Sequence, residues 1–263
     1  MFFGSPIKNI TIPKSCKEIL AGAFIVCLSL EEFFSESPYY CINNRVLYSK
    51  DFKTLIAYPC NCFPDILPTI TSISSAKGFS GSSFVNFTLT IPLKTIEAYA
   101  FRVCPNLEYV DLSCARVTSI YNAIFYESYK LKTVILPPLL QSIDIYCFSN
   151  TNIVVLVLPP NVYSIQANAF EGTKITDIYY CGLNTFDSIS LKNTNIRIHV
   201  SDYFPTTSTK FLGCQIEDRK YACEKYNCYN MIDQSFMDCP SMNICIYNHF
   251  YPSLILYSVI IVM

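Results

Sequence analysis

Residues 131–170, LKTVILPPLLQSIDIYCFSNTNIVVLVLPPNVYSIQANAF, carry one pattern twice. Leu131, Val134, Leu136 and Pro137 lead to Ile143 and Phe148, and Ile153, Leu156, Leu158 and Pro159 lead to Ile165 and Phe170. The period is 22 residues. A unit of that size cannot bury its apolar side alone, so copies must stack into a solenoid.

The same grammar extends to both sides. Ile10, Ile12 and Pro13 precede Ile19, Ala23 and Phe24, while Pro68 and Ile73 precede Phe79, with the same eleven residues from proline to phenylalanine. Phe84, Phe87 and Leu89 lead to Ile96, Ala100 and Phe101, and Leu107, Val110 and Leu112 lead to Ile120 and Phe125. Ile175, Ile178 and Tyr180 form the last clear strand. From Phe79 through Phe101, Phe125 and Phe148 to Phe170 the spacings are 22, 24, 23 and 22, whereas Phe24 and Phe79 stand 55 apart. Six phenylalanine-bearing units result, with the period broken between Glu31 and Pro59. Inside the break, RVLYSKDFKTLIAY predicts strands Val46 to Tyr48 and Thr54 to Tyr58 around the polar turn Ser49-Lys50-Asp51, a hairpin that a solenoid tolerates as an insertion on one face.

A strand of the form L-x-x-I-x-L-P sends its apolar residues inward and those between them outward. The proline, having no N–H, ends the ladder and turns the chain. The later Ile and Phe then fill the interior from the opposite wall. With 51% hydrophobic and 15% charged residues over 263 positions, the chain can supply a large interior. Nineteen basic and twenty acidic residues, with no basic stripe, leave no electrostatic footprint for nucleic acid. The lack of Trp and only seven Gly argue against a glycine-punctuated propeller, whereas fifteen Pro can supply solenoid turns.

The blocks ITIPKSCKEILAGAF, LKTVILPPLLQSIDIYCF and IVVLVLPPNVYSIQANAF resemble the leucine-rich repeats of BspA-like surface proteins, and RVLYSKDFKTLIAYP, ITDIYYCGLNTF and TKFLGC resemble their trichomonad branch. The resemblance covers about residues 7–214. It implies a leucine-rich-repeat solenoid, β-rich within the α/β class, coiling right-handed in repeats of 22 to 24 residues around a concave parallel β-sheet. It also implies adhesion to host cells, matrix or other microbes, and the family often carries a C-terminal membrane span. Periodicity by itself implies none of that function.

The outward strand positions are the candidate partner-binding set: Tyr109 and Asp111, Thr133 and Ile135, Val155 and Val157, Asp177 and Tyr179, preceded by Asn86 and Thr88. Stacked in register, Ile135, Val157 and Tyr179 form an apolar and aromatic stripe, which reads either as ordinary β-surface covered by the C-terminal segment or as a protein-binding patch. Asn9-Ile10-Thr11 and Asn86-Phe87-Thr88 are glycan-acceptor sequons. Of fourteen cysteines, Cys27, Cys104 and Cys147 fall at ladder positions as small hydrophobes. Cys214, Cys223, Cys228, Cys239 and Cys245 crowd a polar segment and are disulfide candidates for a stapled cap, and their spacing does not suit a metal.

The domain expectation is a solenoid over 1–214 with a hairpin insertion at about 38–60, a Cys-rich cap over 215–249 and a hydrophobic tail over 250–263. For that tail, FYPSLILYSVIIVM, membrane insertion, packing on the solenoid and an aberrant end all stay open. The opening MFFGSPIKNITIPKSC lacks the pattern of a secretory signal peptide. His199 and His249 have no nucleophile motif beside them, His199 reading as a surface or core residue of its strand, and no phosphate-cradling glycine loop occurs. The residues therefore predict neither catalysis nor a cofactor. The expected function is a surface protein that binds protein or cell-surface ligands through its concave face, with a cytosolic leucine-rich-repeat scaffold as the alternative.

Overall fold

The computed structural model describes residues 2–61, 65–166, 168–180, 182–185, 195–201 and 204–219. In chain order the strands are β1 (Asn9–Ile12), β2 (Glu32–Ser35), β3 (Tyr40–Asn43), β4 (Val46–Ser49), β5 (Thr54–Ala57) and β6 (Ser72–Gly78). They continue as β7 (Asn86–Thr88), β8 (Thr95–Ile96), β9 (Tyr109–Asp111), β10 (Ser119–Ile120), β11 (Thr133–Ile135) and β12 (Ser142–Ile143). The remaining strands are β13 (Val155–Leu158), β14 (Ser164–Ile165), β15 (Asp177–Tyr180), β16 (Arg197–Val200), β17 (Lys210–Phe211) and β18 (Cys214–Asp218).

Each unit contributes one strand to a main wall and a shorter one to a second wall. On the main wall β7, β9 and β11 pair in parallel, as do β13, β15, β16 and β18, with β13 adjoining β11. On the second wall β10, β12 and β14 align Ser119, Ser142 and Ser164 outward and Ile120, Ile143 and Ile165 inward. An α/β description would lay helices on that wall. The described residues contain none; short Ser-Ile or Thr-Ile strands and turns serve instead.

The interior is a set of ladders. Leu112, Leu136 and Leu158 repeat along the main wall, and Tyr180 takes the next rung, where its ring stacks on Phe211 at 4.8 Å. Phe79, Phe101, Phe125, Phe148 and Phe170 are buried and stack in succession, with centroid separations of 5.0, 5.4, 5.6 and 5.7 Å. Those steps follow the roughly 4.7–4.9 Å spacing of neighbouring strands, so one ring per unit is what a parallel stack can align.

The turns after these rings are closed from inside. Thr151 and Thr173 donate to the carbonyls of Phe148 and Phe170, each at 2.8 Å, and Ser128 and Cys104 donate to those of Phe101 and Phe79 at 2.9 and 3.3 Å. The backbone bends sharply to allow this: two residues after each phenylalanine, at Val26, Gly81, Val103, Glu127, Asn150 and Gly172, φ is positive. For the non-glycine members that conformation costs roughly 1–2 kcal/mol apiece and is held by the surrounding stack.

Phe24 departs from the run. It packs edge-on against Phe33 at 6.2 Å, in a separate small core with Ile12, Leu30, Leu47, Ile56 and Ala76. The cause is the chain between Glu31 and Pro59. β3, β4 and β5 pair antiparallel, β5 joins the second wall beside β6, and Leu47, Ile56 and Ala57 fill the space between Phe24 and the main ladder. The seven-residue β6 serves both parts: Ile73 pairs with Ile96, while Ser75 and Ala76 accept from the amides of Gly22 and Phe24. At its end Gly78 has φ +52°, and a Cβ there would meet Ile73 Cγ2 at 2.8 Å and the Ala100 backbone at 3.2 Å.

Because Phe148 is stacked on both faces, Phe148→Ala is expected to lower unfolding free energy by about 3–5 kcal/mol in denaturant titrations, the range for a large aromatic truncated in a tight core. A loss under about 1 kcal/mol, the size of a typical mutation, would mean that the ring is not buried between neighbours.

Candidate functional site

Alternation along the main wall puts Asn86, Tyr109 and Thr133 in one outward row and Thr88, Asp111 and Ile135 in the next. The register carries Val155 against Asp177 and Arg197, and Val157 against Tyr179 and His199. The candidate residues are thus brought together on one face. They are not equally available. Tyr109, Thr133, Val155, Val157 and Tyr179 are half-buried, but Asp111 is 1% exposed, Ile135 5% and Asp177 7%. Ile135 therefore drops out of the apolar stripe, which narrows to Val157 and Tyr179. Asp111 is turned back onto the wall, accepting from the Ser113 amide at 2.8 Å and from the Tyr109 hydroxyl at 3.4 Å.

The densest chemistry lies where β15, β16 and β18 meet. Arg197 binds Asp177 through two parallel hydrogen bonds, Nε to Oδ1 at 2.8 Å and Nη2 to Oδ2 at 2.7 Å, and Thr176 donates to the same carboxylate at 2.7 Å. His199 lies between two carboxylates: Nε2 is 2.9 Å from Asp177 Oδ1 and Nδ1 is 2.6 Å from Asp218 Oδ2. The Tyr179 ring lies flat on the imidazole, with centroids 4.3 Å apart and planes at 12°. A register shift between Ile198 and His199 puts Asp218 opposite the histidine, the re-aiming of a side chain that a β-bulge provides. Burial alone would raise the Asp177 carboxyl, but hydrogen bonds from Arg197, Thr176 and His199, with the Arg197 charge, hold it at about 2.

No motif in the sequence singles out Arg197 or Asp218, and His199 reads there as an ordinary strand residue. The available signal was the alternation of Ile196, Ile198 and Val200 around Arg197 and His199, the same spacing that Ile178 and Tyr180 give Asp177 and Tyr179. The cluster is internally satisfied: it ties three strands together and shows to solvent the outer parts of Arg197, Tyr179 and Val157.

The other candidates are dispersed. Asn9 in β1 and Asn86 in β7 are both exposed. Beside β1 and β2 an open cleft of about 520 Å³ is lined by Thr11, Glu32, Phe34, Ser35 and Ile42. Cys27, Cys104 and Cys147 are fully buried, and burial pushes the Cys104 thiol up to about 12. Cys214 is buried at the start of β18, whereas Cys223, Cys228, Cys239 and Cys245 lie outside the described residues, as does the tail 250–263. Among the described residues no helix is long and apolar enough to cross a membrane.

The Asp177 cluster carries a pH dependence with a defined sign. Its carboxyl is depressed below the roughly 3.9 of an unfolded chain, so the stabilisation is complete above about pH 5 and disappears as pH falls towards 2. With Arg197 largely in water, the loss is expected to be only about 1–2 kcal/mol. Acid titrations of Asp177→Asn should lack that component. Superimposable acid profiles for the variant and the native chain would contradict the assignment.

Comparison with known proteins agrees with this geometry. The family model described as the BspA type leucine rich repeat region matches residues 1–63 and 71–197, in six copies. The fold is similar to a leucine rich cell surface protein from Faecalibacterium prausnitzii A2-165, with TM-score 0.57 and 25% identity over 68% of this chain and 49% of that one. It is also similar in fold to the pneumococcal vaccine antigen PcpA, with TM-score 0.51 and 19% identity over 74% of this chain and 51% of that one. The chain thus spans about half the length of each. Among curated proteins none matches. Repeat grammar, stacked parallel strands and the six-copy match lead to one assignment: the chain belongs to the BspA-type leucine-rich-repeat family.

Proposed function

We propose that the chain is a non-enzymatic surface protein that binds a protein or cell-surface ligand through the outward side of β13, β15 and β16. The observation that carries this reading is the pair of outward rows, Val155, Asp177 and Arg197 beside Val157, Tyr179 and His199, held in fixed geometry by the ionic cluster. Tyr and Arg are the residue types over-represented among binding hot spots. Here the Tyr179 ring is already stacked and the Arg197 guanidinium already bidentate, so little side-chain freedom remains to be lost on docking. The Arg197 side chain keeps 58% of its surface in water, leaving an outer edge for a partner. Tyr109 and Thr133 extend the surface towards β7. The names of the two similar structures, a cell surface protein and a vaccine antigen, favour display outside the cell.

A cytosolic repeat scaffold is the second reading. It is favoured by Cys27, Cys60, Cys104 and Cys147, which occur as buried thiols with backbone carbonyl acceptors. Such thiols suit a reducing compartment. Biotinylation of intact cells with a membrane-impermeant reagent separates the two: surface display predicts labelling, and a cytosolic scaffold predicts protection.

For the binding face, the double variant Val157→Ser, Tyr179→Ser should weaken attachment of the purified, fluorescently labelled chain to intact cells by about tenfold or more, equivalent to ~1.4 kcal/mol. Circular dichroism should show the fold retained, because neither residue belongs to the buried ladders. Undiminished attachment by a folded variant would remove this face from consideration.

A further inference from the structure

We infer that Asn9 and Asn86 are N-glycan acceptors, and that their glycans reserve the β13 to β16 end of the main wall for the partner. The acceptor assignment stands on its own; the reserved face rests on the function proposed above.

Each sequon is displayed on a strand, in β1 and in β7. In an extended chain residues i and i+2 project to the same side. Asn9 with Thr11, and Asn86 with Thr88, therefore point outward together, and all four are exposed. The middle residues are not proline, and Phe87 is buried in the core. Among the described residues neither asparagine amide has a hydrogen-bond partner that a sugar would displace. An asparagine placed for structure would be expected to cap a turn or satisfy a backbone group. These two do neither.

Asn86 lies on the main wall that carries the proposed binding face, and Asn9 on the separate β1–β2 sheet. Asn86 heads the row that continues through Tyr109 and Thr133. Thr11 lines the open cleft in which the exposed Phe34 stands, so a glycan on Asn9 would overhang the cleft. It would also stand on β1, which pairs only with β2 among the described strands. A bulky polar group there blunts an exposed strand edge, as charges and prolines do in other sheets.

The chemistry is a substitution with no change of oxidation state. The side-chain amide nitrogen attacks the anomeric carbon of an oligosaccharide carried on a lipid pyrophosphate. The bond from that carbon to the pyrophosphate oxygen breaks as the carbon–nitrogen bond forms. The lipid pyrophosphate leaves with the electron pair, and the amide gives up one proton.

The test uses the full chain isolated from the cells that make it. Digestion with peptide-N-glycosidase in heavy-oxygen water converts each linked asparagine into a labelled aspartate, read by peptide mass spectrometry. Label at both Asn9 and Asn86 is expected, with one mobility step lost in N9Q, one in N86Q and both in the double variant. An unlabelled peptide at either position overturns the inference. Surface biotinylation without glycan label would sink the inference and leave the proposed surface function standing. Attachment to cells that rises markedly in N86Q would instead show that the partner uses the β7 end, contradicting the reserved face.

Discussion

Stacking of one phenylalanine per unit on the phenylalanine of the next is the interaction on which the rest of this structure depends. A single unit has a main-wall strand of three or four residues and a second-wall strand of two, too little for either sheet to persist alone. The ring offers each neighbour a flat apolar face at about the distance imposed by strand pairing. Backbone ladder and side-chain ladder therefore have a common period, and each stabilises the other. The left-handed residues two places after each ring follow from this demand. The chain must reverse tightly behind the phenylalanine to reach the next main-wall strand.

The same reasoning explains where the stack is interrupted and how it ends. The antiparallel strands β3 to β5 bring their own apolar residues, and these shield Phe24 from the main ladder. β6 reconnects the two parts by pairing with the second wall and with the first unit at once. At the other end Tyr180 replaces the aliphatic rung, stacks on Phe211 and donates its hydroxyl to the Val162 carbonyl at 2.9 Å. In β16 the buried apolar rows continue through Ile198 and Val200, and ionic pairing is added on the outer side. The Asp177, Arg197, His199 and Asp218 cluster ties β15, β16 and β18 together and concentrates charge on that part of the outer surface.

Much of this was legible because apolar spacing is a one-dimensional signal. Phe101, Phe125, Phe148 and Phe170 stack as their intervals imply, and the repeats Ile120, Ile143 and Ile165 share one register. What escaped depends on three-dimensional detail. Alternation assigned Ile135 and Asp111 to the outer side, but it cannot tell how far water reaches them. The role of Phe24 was hidden because the spacing of 55 residues gives the size of an insertion and not the place its apolar residues occupy. The partnership of Asp177 with Arg197 joins residues 20 apart, off the 22 to 24 of the repeats, and Asp218 reaches His199 only through a bulge. Gly81 and Gly172 hinted at the left-handed turns, while Val103 and Glu127, in the same conformation, disguised them.

The central claim is that the rings are coupled to their immediate neighbours, and a double-mutant cycle measures that coupling directly. Phe125→Leu and Phe148→Leu, made singly and together, should be non-additive by about 0.5–1.5 kcal/mol, the range for aromatic pairs in contact. The same cycle on Phe101 and Phe170, which are separated by two intervening rings, should be additive within about 0.5 kcal/mol. Additivity in the adjacent pair, or equal coupling in both pairs, would contradict a ladder built from neighbour-to-neighbour contacts.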